Sequence, residues 1–406
     1  MSGKWPGGFI NKTVPTVVGP TDGEGGSASG IWTLDEVADY KQQGLWPTPT
    51  LPKKLFVWGR DTTGALGLGT SGVNKSSPVQ VGALVNWGPS LFGGISWGGA
   101  VKTDGTMWTW GSNGQSQLGT NNTTDYSSPV QVGALTNWLK SSAGNYHSHH
   151  VKSDGTLWAW GRGALGALGL GNTTFYSSPV QVGALTTWLQ TASGYAFSVG
   201  ITTSGTMYAW GYNTQGNLGI GNNTTQSSPV QVGALTTWAS VACGQLHTLA
   251  VTTDGKLYSW GYNTQGQLGN GNTTKISSPV QVGALTTWAS VSGGNVFSAA
   301  VKTDGTLWAW GWNDQGQLGQ GNTAQVSSPV QVGSLTTWNT VSLGFEHTYA
   351  TTTSNALYAW GQNGQGQLAQ GDTASRSSPV QVGALTSWGS LIKGSANRKA
   401  FVILKS

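Results

Sequence analysis

The sequence predicts an all-β protein: a seven-bladed β-propeller closed by pairing of N- and C-terminal half-repeats, with an extended N-terminal arm and one short helix. A Trp-Gly pair recurs with a spacing of 52 residues once and 50 residues five times, at Trp58, Trp110, Trp160, Trp210, Trp260, Trp310 and Trp360. Each unit contains four short segments with the pattern of β-strands, and the two ends of the chain hold complementary incomplete units. Units of this length bury their apolar faces by stacking on their neighbours, as in a propeller.

The unit around Trp310 shows the strand pattern. Residues 288–292, 297–303 and 306–310 are predicted strands, and Asp304-Gly305 is the two-residue hairpin signal that joins the second and third. Residues 329–332 are the predicted fourth strand. Because Pro329 cannot donate a hydrogen bond to a neighbouring strand, we expect it to start this strand or to lie at a sheet edge.

The two ends of the repeat region predict how the ring closes. Residues 53–60 match only the Trp-Gly strand of a unit, and residues 393–405 match only the strand before it. Pairing of these segments would make one composite blade and remove the free sheet edges. The chain therefore divides into an attachment segment, residues 1–52, and a propeller, residues 53–406.

The attachment segment combines an arm with a capped helix. Residues 1–30 are rich in Gly, Pro, Ser and Thr without periodicity, which predicts an extended arm. Thr33 and Glu36 have the spacing of a capping box and predict a helix of about ten residues, which is marginal on its own. The apolar side chains of this segment have no local core, so we interpret them as contacts to another protein: Trp5, Phe9, Ile10, Ile31, Trp32, Leu34, Val37 and Trp46.

Charge and hydropathy narrow the function classes. The formal net charge is +5, and basic residues near the two ends of the repeat region predict a patch for an anionic partner: Lys53, Lys54, Arg60, Lys393, Arg398 and Lys399. The other blades lack basic clusters, so we do not expect nucleic-acid binding. No apolar run reaches the roughly 18 residues that span a bilayer, and the N-terminus lacks the pattern of a signal peptide.

No combination of nucleophile, base and orienting group stands out, so we expect no enzyme, no cofactor and no metal site. The one histidine cluster, residues 147–150, has poor geometry for a metal, and His147 occupies the repeat position of Phe197 and Phe297, which indicates packing. The single cysteine, Cys243, is interpreted as a small core residue.

Polar and aromatic residues recur after the Trp-Gly strand and predict a rim that could bind a sugar, because rings stack on sugar faces and amides reach hydroxyl groups. The candidate rim residues are Tyr212, Asn213, Tyr262, Asn263, Trp312 and Asn313. The alternative is that they are ordinary loop residues.

The segment HTLAVTTDGKLYSWGYNTQGQLGNG, His247 to Gly271, with the following Ser-Pro-Val, resembles the repeat of the regulator of chromosome condensation family. This resemblance covers residues 53–406 and implies a seven-bladed propeller with a split blade. Members of that fold include a nucleotide exchange factor for a small GTPase, chromatin binders and a bacterial inhibitor of β-lactamases, so the fold is implied more strongly than the function. Residues 4–47 resemble the N-terminal module of structural proteins of tailed bacteriophages, especially marine and cyanobacterial phages.

The leading hypothesis from sequence is a non-enzymatic structural protein of a phage virion, assembled in the host cytoplasm. Residues 1–52 would bind other virion proteins, and the propeller, alone or as a homo-oligomer, would be displayed as a capsid decoration or tail appendage. One alternative is a host-surface glycan-binding adhesin or receptor-binding protein. Another is a regulatory propeller that binds a protein. An acidic or aromatic patch confined to one blade would favour this alternative, and the sequence shows no such patch.

Overall fold

The computed structural model describes residues 53–392 and the backbone of residues 399–404. The predicted arm, helix and attachment residues, together with Lys393 and Arg398, lie outside the described residues. Regular structure within the described part is β-strand apart from one 3-10 turn, Ala164–Gly166.

Six four-stranded antiparallel sheets, numbered 1 to 6 in chain order, each take four consecutive strands. Their first strands are β3 (Trp87–Gly93), β7 (Trp138–Ala143), β11 (Trp188–Ser193), β15 (Trp238–Cys243), β19 (Trp288–Gly293) and β23 (Trp338–Leu343). Their second strands are β4 (Trp97–Lys102), β8 (His147–Lys152), β12 (Phe197–Thr202), β16 (His247–Thr252), β20 (Phe297–Lys302) and β24 (His347–Thr352). Their third strands are β5 (Met107–Gly111), β9 (Leu157–Gly161), β13 (Met207–Gly211), β17 (Leu257–Gly261), β21 (Leu307–Gly311) and β25 (Leu357–Gly361). Their fourth strands are β6 (Tyr126–Gln131), β10 (Tyr176–Gln181), β14 (Gln226–Gln231), β18 (Ile276–Gln281), β22 (Val326–Gln331) and β26 (Arg376–Gln381).

The fourth strand starts earlier than the sequence predicts. In sheet 5, β22 begins at Val326, so Pro329 lies inside the strand and not at its start. The strand is the sheet edge, as predicted, and its pairing with β21 is interrupted between Ala309 and Gly311. The irregular register accommodates Pro329, because a residue without an N–H is tolerated at an edge or a bulge.

A further four-stranded sheet joins the two ends of the described chain. Its strands run in the order β2 (Lys75–Gln80), β1 (Leu55–Gly59), β28 (Lys399–Leu404) and β27 (Trp388–Leu391). The predicted pairing of the half-repeats is therefore present between β1 and β28, with Gly59 opposite Lys399. The sequence predicted seven blades, and the structure shows six sheets of consecutive strands together with this composite sheet.

The hydrophobic core lies between neighbouring sheets. The Trp of each Trp-Gly pair is buried and donates its indole N–H to a loop carbonyl of the preceding unit, at 2.8–3.2 Å. The same bond links the composite sheet to sheet 6, since Trp58 Nε1 donates to the carbonyl of Gln367. Each tryptophan thus buries a large ring and satisfies its own polar group, which fixes one sheet against the next.

Candidate functional site

The strand order places two kinds of loop on opposite faces of the ring. The hairpin turns between second and third strands define one face, which we call the turn face. The long loops between third and fourth strands, with the turns between first and second strands, define the other, which we call the long-loop face.

The aspartates of the turn face are turn residues. Asp154 Oδ1 accepts hydrogen bonds from the backbone N–H of Thr156, at 3.0 Å, and from its hydroxyl, at 2.6 Å. These bonds lower the pKa of the Asp154 carboxyl. The same pair of bonds forms at Asp104 and Asp304.

A buried asparagine organises the long loop in five units. In sheet 4, Asn263 Nδ2 donates to the carbonyls of Asn272, at 3.1 Å, and Thr274, at 2.9 Å, and its Oδ1 accepts from the N–H of Leu268. The equivalent residues are fully buried: Asn113, Asn213, Asn263, Asn313 and Asn363. The prediction that Asn213, Asn263 and Asn313 form part of a ligand rim is therefore wrong, because their amides are used inside the loop. The three aromatic members, Tyr212, Tyr262 and Trp312, are half-buried.

The long loop of sheet 2 departs from this pattern. Gly163 stands where the other full units carry the buried asparagine, and a β-carbon there would lie 1.8 Å from the carbonyl oxygen of Thr174. The loop instead forms the 3-10 turn Ala164–Gly166, with Leu165 at φ 61°. A left-handed conformation costs a non-glycine residue on the order of 1 kcal/mol. Leu165 is nevertheless 41% exposed, so burial of its own side chain does not offset that cost.

Leu165 belongs to a surface patch, which we call the sheet 2 patch and define as Tyr146, Arg162, Leu165 and Tyr195. These residues line one cleft of about 20 Å³ on the long-loop face. The Arg162 guanidinium carbon lies 5.9 Å from the centroid of the Tyr146 ring. Arg162 Nε is buried without a hydrogen-bond partner, and none of the salt bridges between described residues includes Arg162. The patch therefore presents a cation and apolar or aromatic side chains together.

The histidine cluster lies beneath this patch. His147 lines the same cleft, and its Nε2 is 3.0 Å from the hydroxyl of Ser198. His149 Nδ1 contacts that hydroxyl at 3.1 Å, and the His150 ring stacks on Trp160 with centroids 4.0 Å apart. Burial lowers the pKa of His147 to about 4 and also lowers the pKa of His149 and of His150, which favours neutral rings. The interpretation of His147 as a packing residue agrees with this burial. Among the described residues no group of three or more ligands could hold a metal ion.

The remaining predicted residues lie apart from the patch. Lys53 and Lys54 precede β1, whereas Arg60 follows it, so the strand separates them by about 20 Å at roughly 3.3 Å per residue. The described basic residues thus flank the composite sheet at its two ends and do not form one patch. Cys243 is buried, which raises the pKa of its thiol and agrees with a core role. No helix within residues 53–392 has the length and apolarity to cross a bilayer.

The propeller region is similar to a known protein family and to several solved structures. A family model described as the RCC1-like domain matches residues 54–399. Human WBSCR16 is similar with a TM-score of 0.78 and 22% identity, over 87% of this chain and 99% of that one. Prp20p from Saccharomyces cerevisiae, described with its binding properties to Gsp1p and histones, is similar with a TM-score of 0.75 and 20% identity, over 91% of this chain and 94% of that one. The structure of yeast RCC1 (Prp20) bound to Kap60 is similar with a TM-score of 0.75 and 20% identity, over 96% of this chain and 97% of that one. At these identities the similarity shows a shared fold.

Proposed function

The chain belongs to the RCC1-like domain family, and from that membership we propose that it is a non-enzymatic β-propeller that binds a protein partner. The sheet 2 patch carries the proposal, because Leu165 is exposed where the loops of sheets 1 and 3 to 6 carry glutamine, and the exposed Tyr195 lines the same cleft. Two similar structures support a role in protein binding: Prp20p is described with binding properties to Gsp1p and histones, and yeast RCC1 is bound to Kap60.

The chemistry of the patch indicates the chemistry of its partner. Arg162 has no carboxylate partner among the described residues, and a guanidinium binds a carboxylate through paired hydrogen bonds. Leu165 and Tyr195 beside it offer apolar contact area of the kind found at the centre of protein interfaces. The partner is therefore a protein segment with an acidic residue next to an apolar one.

Site-specific photo-crosslinking tests this proposal. A photoreactive phenylalanine analogue would replace Leu165 in the full-length protein, and the matched control would carry it at Gln265, the equivalent position of sheet 4. We expect one discrete crosslinked partner at position 165, lost when Arg162→Glu is added, and no such product at position 265. Equal products at the two positions would refute the assignment of the patch.

We further propose that the composite sheet is a seventh blade that closes the ring. It packs on both sides: Trp58 and Trp388 share a cluster with Tyr349 of sheet 6, and Leu55 and Ile392 share one with residues of sheet 1. A sheet with neighbours on both faces leaves no open end to the array.

The hypothesis of a phage virion protein stays a proposal that rests on residues 1–52 alone. The two proteins named above come from human and yeast, and they share the propeller. Mass spectrometry of purified virions from the source culture tests the hypothesis, with the copy number separating a capsid decoration from a tail appendage. Absence of the protein from the particles would refute the virion role and leave the partner-binding proposal intact.

A further inference from the structure

A groove separates the outer parts of sheets 4 and 5. One wall is β18 with the loop at residues 269–272, and the other is formed by Trp288, Trp308, Ser328 and Pro329. Its volume is about 600 Å³, within the range of sites for small ligands, roughly 300–1,000 Å³. We propose that this groove binds a neutral saccharide.

Two polar groups in the groove lack protein partners. Trp288 is only 3% exposed, and its indole nitrogen has no hydrogen-bond partner, a feature that it shares with the equivalent tryptophans of five other sheets, Trp138, Trp188, Trp238, Trp338 and Trp388. The side chain of Gln281 makes no hydrogen bond within the described residues, whereas the equivalent glutamines of five sister strands donate to a nearby glycine carbonyl at 3.0–3.2 Å: Gln80, Gln131, Gln181, Gln231 and Gln331. A buried donor without a partner costs free energy, and a ligand hydroxyl in the groove would supply the missing acceptor.

The groove is also uncharged and aromatic. No Asp, Glu, Lys, Arg or His is among the side chains that line it, which favours a neutral ligand over an anion or a cation. The Lys302 ammonium lies 3.8 Å from the Trp308 centroid and 5.2 Å from that of Trp288, and these contacts hold the two rings in place. The exposed part of the Trp308 ring beside the amides of Asn270 and Gln281 suits a ligand ring that is apolar on its faces and hydroxylated at its edge.

The edge strand disfavours a peptide that would extend the sheet. Pro279 lies inside β18 and has no N–H to offer to an added strand. Addition of a strand depends on a regular row of main-chain donors and acceptors along the edge. A saccharide requires no such row, because it binds through side chains.

Indole N–H spectra of the intact, ¹⁵N-labelled protein test the proposal. The probes are neutral hexasaccharides of glucose, mannose and N-acetylglucosamine, each added to millimolar concentration, with a sulfated glucose hexasaccharide as the charged comparison. Trp288→Phe identifies the Trp288 signal, and Trp87→Phe identifies the signal of Trp87, whose N–H donates to the carbonyl of Leu84 at 3.0 Å. We expect at least one neutral saccharide to shift the Trp288 signal and to leave the Trp87 signal in place.

A matched pair of glutamine variants tests the contact itself. Gln281→Ala should weaken saccharide binding by about tenfold, the effect of one lost hydrogen bond. Gln331→Ala removes an amide that is already bonded to the Gly333 carbonyl, and it should leave that binding unchanged. Three outcomes would overturn the proposal: no shift with any neutral saccharide, a shift with the sulfated one alone, or equal weakening by the two variants.

Discussion

Replacing His247 by Phe should remove one source of the protein's sensitivity to acid while leaving its fold intact. His247 is fully buried in β16, and its Nε2 lies 2.9 Å from the Ser298 hydroxyl of the next sheet. Phe197 and Phe297 occupy the equivalent positions in sheets 3 and 5 and are equally buried. The His247 ring packs on Gly244 as the Phe197 ring packs on Gly194, so the site has room for Phe.

The magnitude follows from the pKa of His247. Burial lowers that pKa from 6.5 to about 3, so the folded state takes up a proton less readily than the unfolded chain does. The contribution of His247 to stability is complete above pH 6.5 and is lost as the pH falls towards 3. Between about pH 7.5 and pH 4.5 this loss amounts to roughly 2 to 3 kcal/mol of unfolding free energy. At neutral pH the substitution should cost about 1 kcal/mol or less, because Ser298 Oγ still donates to the carbonyl of Gln267.

Urea unfolding at a series of pH values measures the effect. We expect the unfolding free energy of His247→Phe to fall less steeply with acid than that of the unmodified protein. The converse variant, Phe197→His, should add acid sensitivity, because it places a second neutral histidine at an equivalent buried position. The Thr248 hydroxyl stands beside position 197 as the Ser298 hydroxyl stands beside His247, so the new ring has a hydrogen-bond partner. If His247→Phe and the unmodified protein gave parallel curves over this pH range, the buried neutral histidine would not be a source of acid sensitivity.

Three further changes test how the ring is held together. Gly319→Ala should lower the unfolding free energy by about 2 kcal/mol or more, because its β-carbon would meet the Trp360 indole at 2.6 Å at φ 73°. Ala369→Gly at the equivalent loop position, where φ is 55°, should instead raise it by up to about 1 kcal/mol, and urea unfolding of both variants checks the contrast. Calorimetry should give a single cooperative transition for the unmodified protein, and deletion of residues 393–406, which removes β28, should abolish it; an unchanged transition would contradict closure by the composite sheet. Asn263→Ala removes three hydrogen bonds to the backbone and should cost about 2 to 3 kcal/mol and open the loop at residues 262–275 to protease, whereas Thr214→Ala on an exposed position should not.

The sequence was most informative where repetition supplies a comparison. Phe197 and Phe297 stand where His147 and His247 do, and that exchange alone indicates a packed ring in place of a metal ligand.

The sequence was least informative about the direction in which a side chain points. Asn263 and Tyr262 are adjacent and recur together, yet the amide points inward to backbone carbonyls and the phenol stays half-exposed. A polar residue beside an aromatic one has the same pattern whether it serves the loop or a ligand, so the sequence could not separate these roles. The sheet 2 patch was missed although a signal was present: Gly163 breaks the series of Asn113, Asn213, Asn263, Asn313 and Asn363.

Sheet 2 departs from the repeat both inside and outside. His150 stands where sister sheets 1 and 4 carry Ala100 and Ala250, and its ring stacks on Trp160. Above it, Leu165 adopts a left-handed backbone with φ 61°, as Thr63 does with φ 55° at the equivalent loop position of the composite sheet, whereas the glutamines at that position in the other sheets do not. Repeated positions must serve every sheet alike, so they are suited to holding neighbouring sheets together, as the Trp-Gly tryptophans do. A position that differs in one unit is free of that requirement. The cleft is lined by His147, whose ring contacts the ring of His149, and sheet 4 carries Leu249 at the position of His149. A buried departure thus lies next to the exposed ones, and this proximity is the reason to propose recognition at sheet 2.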